Sequence, residues 1–327
     1  MSGGAEPRDT HGEGRARAPW KRVPPVAWVV LSMIVFFGLA APGFFTVGNF
    51  LNITLQGSVL LIMAVAATLV ILTEGIDLSL GSVLTLAGVT AVLALQSGLS
   101  VPAAVVVGVL TGVACGMVTG FLITAGKLPP FIATLGMMGM AAGLALVLTR
   151  QGAIYADLPG FIFLGGGTVG IIPMPTVIAT LVFLLAWVVL HQTDFGRYII
   201  SVGGNEAGAR LSGVNTALWK FLTYVVAGAL AALGGVIMAA RLRAADPIVG
   251  SGWEFDAIAA TILGGTSFEK GNGTLGGTVL GVLVIAVLRN GLNVIGVGAM
   301  WQPALIGLVI IAAIVFDVLL KQRGVIQ

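Results

Sequence analysis

The chain has 327 residues, 57% of them apolar and only 9% charged, with a formal net charge of +3. A soluble domain carries about 25% charged residues, so this chain cannot clothe itself in a solvated surface, and its solvent is a bilayer. Disorder, a coiled coil, a disulfide scaffold and a soluble enzyme are excluded. Apolar runs that are continuous rather than alternating argue against a barrel. The fold class that follows is all-α, a polytopic membrane protein. The single cysteine, Cys115, lies inside an apolar run and fills space. The 48 glycines are about twice the average share. They lie largely within the apolar runs, where glycine permits close helix approach or a helix break.

In chain order, residues 1–24 read as a basic tail carrying Arg8, Arg15, Arg17, Lys21 and Arg22. Pro42 directly after Ala41 argues against signal cleavage, so the first apolar helix is retained. A spanning helix takes about 20 apolar residues. About 10 candidate spans follow, at 25–43, 52–73, 79–96, 101–125, 131–149, 174–192, 216–240, 254–268, 275–296 and 301–320, before a short tail at 321–327. The eighth is too short for a full crossing. With the amino terminus inside, Lys127, Arg197, Arg210, Lys220, Lys270, Lys321 and Arg323 join the five tail cations in the cytoplasm. Only Arg150, Arg241 and Arg243 fall outside, and Arg289 lies within a span. That asymmetry satisfies the positive-inside rule and makes both termini cytoplasmic.

Spans two to five and seven to ten form two four-helix blocks. Each carries an acidic cluster after its first helix: Glu74/Asp77 in TEGIDLSLGS and Glu254/Asp256 in GWEFDAIAA. The topology puts the first cluster on the inner side and the second on the outer, as two inverted blocks would.

Searches for catalytic chemistry are negative. In AGKLPP, Leu128 follows Gly126 and Lys127 where a phosphate loop needs Ser or Thr, and Phe121 occupies the position of its first glycine. GGGTVG fits G-x-G-x-x-G at Gly165, Gly167 and Gly170. It has no βαβ context, so it reads as a flexible loop. His11 and His191 have no metal partner at ligand spacing, and His191 reads as an interfacial side chain.

The informative stretch is TDFGRYIISVGGNEAGARLSGVN, the loop at 193–215, far longer than a connection between spans needs. Within it, after Gly204, Asn205 is a good N-cap, Glu206 complements the helix dipole and Arg210 suits the far end. Gly213 can close the helix as a left-handed residue. The helix so bounded has about seven residues and is too short to stand alone. Either the inner ends of the spans hold it or a cytoplasmic partner does. Leu211 supplies an apolar knob for such a partner.

At these residues the chain resembles a known family. The loop pattern G-R-x-x-x-x-x-G-x-N-E-x-x-A-R-x-S-G is similar to the coupling loop of bacterial ATP-binding-cassette sugar-importer permeases of the ribose/xylose/galactose class. Further matches follow in order: EGIDLSLGS at 74–82, LPPFIATLGMM at 128–138, FIFLGGGTVGIIPMP at 161–175, FDAIAATILGGTSFEKGNGTLGGTVLG at 255–281 and RNGLNVIGV at 289–297. Gly208 departs from the family, which more often has Ala there. The resemblance implies that 25–320 is a permease domain in a bacterial inner membrane, and that it pairs with a second copy or a paralogue. Separate ATPase subunits would power it, so ATP-Mg would be bound on those subunits and this chain would hold no cofactor. A periplasmic or lipid-anchored binding protein would deliver the sugar. Membrane lipid is the remaining partner, and no nucleic acid is expected.

Ionisable and polar groups at membrane depth are the other candidates. Glu74 and Asp77 are either elements of a gate or a helix cap with an interfacial neighbour, and Glu254 and Asp256 invite the same two readings. Asn290 and Asn293 share a helix face, lining a path or tying helices together. Thr134 of LPPFIATLGMM joins Glu74, Asp77, Asn290 and Asn293 as candidate path or gate residues. The Gly112, Gly116 and Gly120 ladder reads as a close-packing face, within the subunit or between subunits. Besides the sugar permease, an ion- or proton-coupled secondary transporter, a branched-chain amino-acid permease and a lipid-acting membrane enzyme remain open. The last lacks any His/Asp/Cys constellation.

Overall fold

A computed structural model describes residues 24–268, 271–298 and 300–322. The basic tail up to residue 23, together with Lys270 and Arg323, lies outside the described residues. Among the described residues, six helices are long and apolar enough to cross a membrane: α2 (Val47–Ile71), α4 (Val101–Thr124), α5 (Pro130–Leu148), α7 (Met174–Gln192), α10 (Thr216–Leu242) and α12 (Leu275–Val294). The apolar helices α1 (Pro25–Ala40) and α3 (Leu80–Gln96) are shorter, α11 (Trp253–Leu263) has 11 residues, and α13 spans Gln302–Gln322. Local chemistry sets the starts. Pro occupies the first turn of α1, α4, α5 and α7, where its missing N–H costs nothing. The Thr46 and Thr274 side chains accept N–H bonds in the first turns of α2 and α12.

The packing has an internal exchange symmetry. Helix α10 lies on α3 and α4 as α2 lies on α11 and α12. Helix α3 touches α4 and α5 as α11 touches α12 and α13, and α2 meets α10 directly. Swapping α2–α5 with α10–α13 therefore maps these pairings onto one another. The buried core follows α2, α3 and α10, whereas α4, α5 and α7 leave broad apolar faces exposed.

Glycine sets the closest approaches. A Cβ at Gly112 would lie 2.2 Å from Gly228 O, and one at Gly116 would lie 2.3 Å from Tyr224 O. The glycine ladder is thus the face through which α4 meets α10 within this chain. Threonine supplies the polar tie: Thr68 Oγ1 sits 2.8 Å from Thr278 Oγ1 and 3.3 Å from Thr261 Oγ1, joining α2, α12 and α11 in the buried core.

The segment around GGGTVG, read as a flexible loop, carries regular secondary structure. It forms β1 (Ile154–Tyr155), α6 (Pro159–Gly166) and a tight hairpin of β2 (Thr168–Val169) with β3 (Ile172–Pro173). Gly165 lies against the α10 backbone, where a Cβ would be 2.1 Å from Arg241 N. Strand β1 pairs with β4 (Ala244–Ala245) just after α10. Gly165 thus provides close contact, whereas Gly170, with φ +63 and open space around it, serves the hairpin turn.

Candidate functional site

The loop at 193–215 folds into two helices. The sequence reading expects one short helix; the structure adds α8 (Asp194–Gly204) before α9 (Glu206–Leu211). Phe195, Ile199 and Val202, three to four residues apart, make α8 amphipathic, and this periodicity was the available signal. Ile199 and Val202 are buried. Tyr198 stacks on Trp219 of α10 at 4.7 Å between ring centroids, and Phe195 meets the same ring edge-on. Gly196 and Gly203 let α8 press on backbone: a Cβ at either would lie 1.9 Å from Leu190 O or Leu72 O respectively. Amphipathic burial, rather than helix propensity, holds this helix.

Helix α9 is capped as its residues dictate. The Asn205 side chain accepts the Gly208 N–H at 2.8 Å. A Cβ at Gly208 would press on that side chain at 3.1 Å. Gly213, with φ +85, turns the chain out of the helix, and its N–H donates to Arg210 O. Glu206 accepts from Arg210 at 3.0 Å and from Lys220 at 2.5 Å. Lys220 stands on α10 and was missed by sequence reasoning as an anchor, because its partner is 14 residues away on another helix. The Glu206 carboxyl is pulled below the ordinary carboxylate range: burial pushes it up, but the Lys220 hydrogen bond and charge, aided by Thr216 and Arg210, outweigh that. A carboxyl lowered in this way contributes its stabilisation above the ordinary carboxylate pKa and loses it as pH falls through the folded value. The loop is therefore pinned to α10 at neutral pH. Leu211 is 91% exposed at the end of α9, and a Cβ at Gly204, at the α8–α9 junction, would meet nothing within 4 Å. An apolar side chain so exposed beside the exposed Arg210 is a surface that a partner can cover.

The membrane-depth residues do not form one cluster. Glu74 is exposed and left-handed, with φ 58, at the end of α2. Asp77 is buried and accepts from Ser79 N–H at 2.8 Å and Ser79 Oγ at 2.6 Å, an Asx turn that leads into α3. Glu254 is buried, and its Oε1 accepts from Gly252 N–H at 3.3 Å. A Cβ at Gly81 would lie 2.0 Å from Glu254 Oε2 and 2.3 Å from Gly250 O, while Gly250 N–H donates to Thr85 Oγ1 at 2.9 Å.

The starts of α3 and α11 therefore meet. Glu254 with the Gly250 backbone meets the first turn of α3 at Gly81, whereas Glu74 stays exposed and Asp256 pairs with Arg289. The chain before α3 runs through the bundle in non-helical form. Such backbone is tolerated at membrane depth where protein buries it, as here, where Thr73, Asp77 and Ser79 are all buried. Two helix N-termini placed together are a local focus of positive potential, and the buried carboxyls of Asp77 and Glu254 lie beside them, Glu254 Oε2 without a hydrogen-bond partner among the described residues.

Thr134 is buried on α5 and donates to Pro130 O at 2.9 Å, within its own helix. Asn293 Oδ1 accepts from Gln302 Nε2 at 2.6 Å, joining α12 to α13. Asn290 is buried, and its Oδ1 has no hydrogen-bond partner among the described residues. His191 stacks on Trp187.

Comparison with known proteins places the chain. A family described as "Branched-chain amino acid transport system / permease component" matches residues 49–314. The ribose import permease protein of Escherichia coli strain K12 is 43% identical over 294 residues, covering 88% of this chain and 91% of that protein. The ribose import permease protein of Bacillus subtilis strain 168 is 40% identical over 87% of this chain and 89% of its own length. The D-allose transport system permease protein of E. coli strain K12 is 36% identical over 90% of this chain and 91% of its own length. No solved structure matches. With the match running through the two blocks, the loop and the converging helix starts alike, this chain belongs to the family of permease components of branched-chain amino acid transport systems.

Proposed function

We propose that this chain is the membrane permease subunit of an ATP-binding-cassette importer that translocates a small sugar of pentose or hexose size. The observation that carries the reading is similarity along nearly the whole chain, at 43% and 36% identity, to ribose and allose import permeases. Permease subunits of this kind carry no ATPase site, and the one phosphate-loop-like run in this chain, at Gly126–Lys127, lacks the required residues. The branched-chain amino-acid substrate in the family description is not favoured, because the relatives named above are sugar permeases. The ion-coupled alternative has no comparable support.

In this reading the chain lies in the bacterial inner membrane with ten membrane-inserted helices in two inverted blocks, both termini cytoplasmic and the membrane domain at 25–320. The exchange symmetry of the packing supports the blocks, and the cation asymmetry supports the orientation. A reporter fused after Arg323 is expected to read a cytoplasmic location; an external signal overturns the topology. Gly204, Asn205, Glu206, Arg210, Leu211 and Gly213 form the surface that meets an ATPase subunit. A second permease subunit, identical or paralogous, completes the pore, and an external binding protein delivers the sugar. Among the candidate path residues Asn290 is the strongest, because its buried Oδ1 lacks a partner among the described residues. Asp77 sits just before α3, whose first turn meets α11 at Gly81, and is the second candidate for a gate element.

The test is reconstitution. Proteoliposomes carrying this chain with its ATPase subunits and binding protein should take up sugar only with ATP inside the ATPase compartment. Uptake by the chain alone, driven by an ion gradient, would overturn the importer reading in favour of a secondary carrier.

A further inference from the structure

The ion pairs among the described residues are Asp194–Arg197, Glu206–Arg210, Glu206–Lys220 and Asp256–Arg289. Three belong to the loop or its anchor on α10. The fourth lies within the membrane domain, where α11 meets α12: Arg289 Nη2 donates to Asp256 Oδ2 at 2.6 Å. The Arg289 guanidinium also lies over the Trp253 ring, 5.8 Å from its centroid. A charged pair at membrane depth contributes little net stability compared with apolar packing, and ionisable groups there mark function by default.

This pair is not sealed into the helix interface. The Arg289 and Asp256 side chains retain 28% and 18% of their exposure, and both line a cavity of about 570 Å³. That volume falls in the range of small-molecule sites, roughly 300–1,000 Å³. The cavity lies between the start of α11 on one side and Ile306 and Ile310 of α13 on the other, and is open at its mouth. The ring of Phe255 is 60% exposed on its wall. The site lies in the half of the bundle away from α8 and α9: α12 starts beside Leu190 and Ile199 near that loop, and Arg289 is toward its opposite end.

We propose that this cavity is a weak transit site for a neutral polyhydroxylated solute, held between the Asp256–Arg289 pair and the rings of Trp253 and Phe255. The proposal rests on the sugar-importer reading and names a place for the sugar within it. The chemistry favours this class of ligand. Hydroxyls both donate and accept; Asp256 offers carboxylate acceptors, and Arg289 offers a fork of five N–H donors, of which the described bonds use one nitrogen. Aromatic faces suit the C–H faces of a sugar ring, whereas a net charge on the solute would find a pair that is already neutral. With two polar side chains and an open side, affinity stays in the millimolar range, as a conduit requires.

The experiment is saturation-transfer NMR on the purified full chain in lipid nanodiscs, with D-ribose and L-leucine as probes, alongside uptake by the reconstituted importer. Saturation is expected to reach D-ribose and not L-leucine. It should fall at least fivefold both in the Asp256→Asn/Arg289→Gln double variant and in Phe255→Ala. Phe255→Ala changes an exposed side chain, so it tests the wall even if the double variant folds poorly. Equal transfer to wild type and Phe255→Ala, or transfer to L-leucine as strong as to D-ribose, overturns the site, including the case where lipid fills it. If the wild-type importer takes up sugar while both variants bind and transport it unchanged, only this site is lost. If the wild-type importer takes up no sugar at all, the substrate reading falls with it.

Discussion

Replacing Leu211 with Asp is expected to leave the permease folded and inserted while uptake and ATPase co-purification fall together, by tenfold or more. The side chain is 91% exposed, and a surface substitution of this kind shifts folding stability by only about 0.5 kcal/mol or less. At an interface the balance differs. Burying a Leu side chain contributes about 1.5–3 kcal/mol, and an Asp in the same groove is a desolvated, unpaired charge. Since about 1.4 kcal/mol is a factor of ten in affinity, the ATPase contact should be largely lost. Asn205→Ala is the graded counterpart. It removes the acceptor of the Gly208 N–H, costs about 1 kcal/mol of helix stability, and should weaken coupling without abolishing it. The Glu206–Lys220 bridge still tethers the frayed helix to α10. Measurement of uptake and of ATPase co-purification on the same membranes decides the matter. If Leu211→Asp leaves both intact, α9 is only a connector.

Gly112→Val is expected to destroy the fold of the membrane domain, cutting the yield of monodisperse protein in detergent by about tenfold or more, whereas Gly139→Ala leaves the yield unchanged. At Gly112 even a methyl group would meet Gly228 O at 2.2 Å and Ala232 Cβ at 2.4 Å, and the contact is mutual, since a Cβ at Gly228 meets Gly112 O at 2.2 Å. Backbone cannot rotate away as a side chain can, so α4 and α10 must separate along their shared seam. Overpacking usually costs about 1–3 kcal/mol, and here every contact along the ladder through Gly116 and Gly120 is opened with it. Gly139 has no atom within 4 Å of where its Cβ would sit. The helix propensity gained by Ala, up to about 1 kcal/mol, then meets no steric opposition. Size-exclusion chromatography of the two variants checks the pair, and a Gly112→Val protein that elutes as wild type would mean the seam is not as tight as these distances require.

Hydropathy alone established a polytopic all-α membrane protein, because too few charges remain to clothe a soluble surface. Local rules also placed the cap of α9: Asn205, Glu206, Arg210 and Gly213 act within one or two helical turns, a range that sequence spacing reports directly. Reading the Gly112 ladder as a packing face was sound for the same reason, since residues four apart share a helix face.

What the tertiary structure decided are partnerships between residues far apart in the chain. Glu206 finds Lys220 at a separation of 14 residues, Arg289 finds Asp256 at 33, and Gly250 finds Thr85 at 165. No local periodicity encodes such pairings. Sequence spacing showed two acidic clusters and assigned them to opposite surfaces by counting whole crossings. In the structure, the chain before α3 enters the bundle unwound, and the starts of α3 and α11 meet where Gly81 faces Glu254 and Gly250, a contact that spacing does not report. Whether a glycine-rich segment dips into the membrane or crosses it depends on what buries its unpaired backbone groups. At this site the burying elements are α2, α10 and the other block, so the answer belongs to the packed molecule and not to the segment.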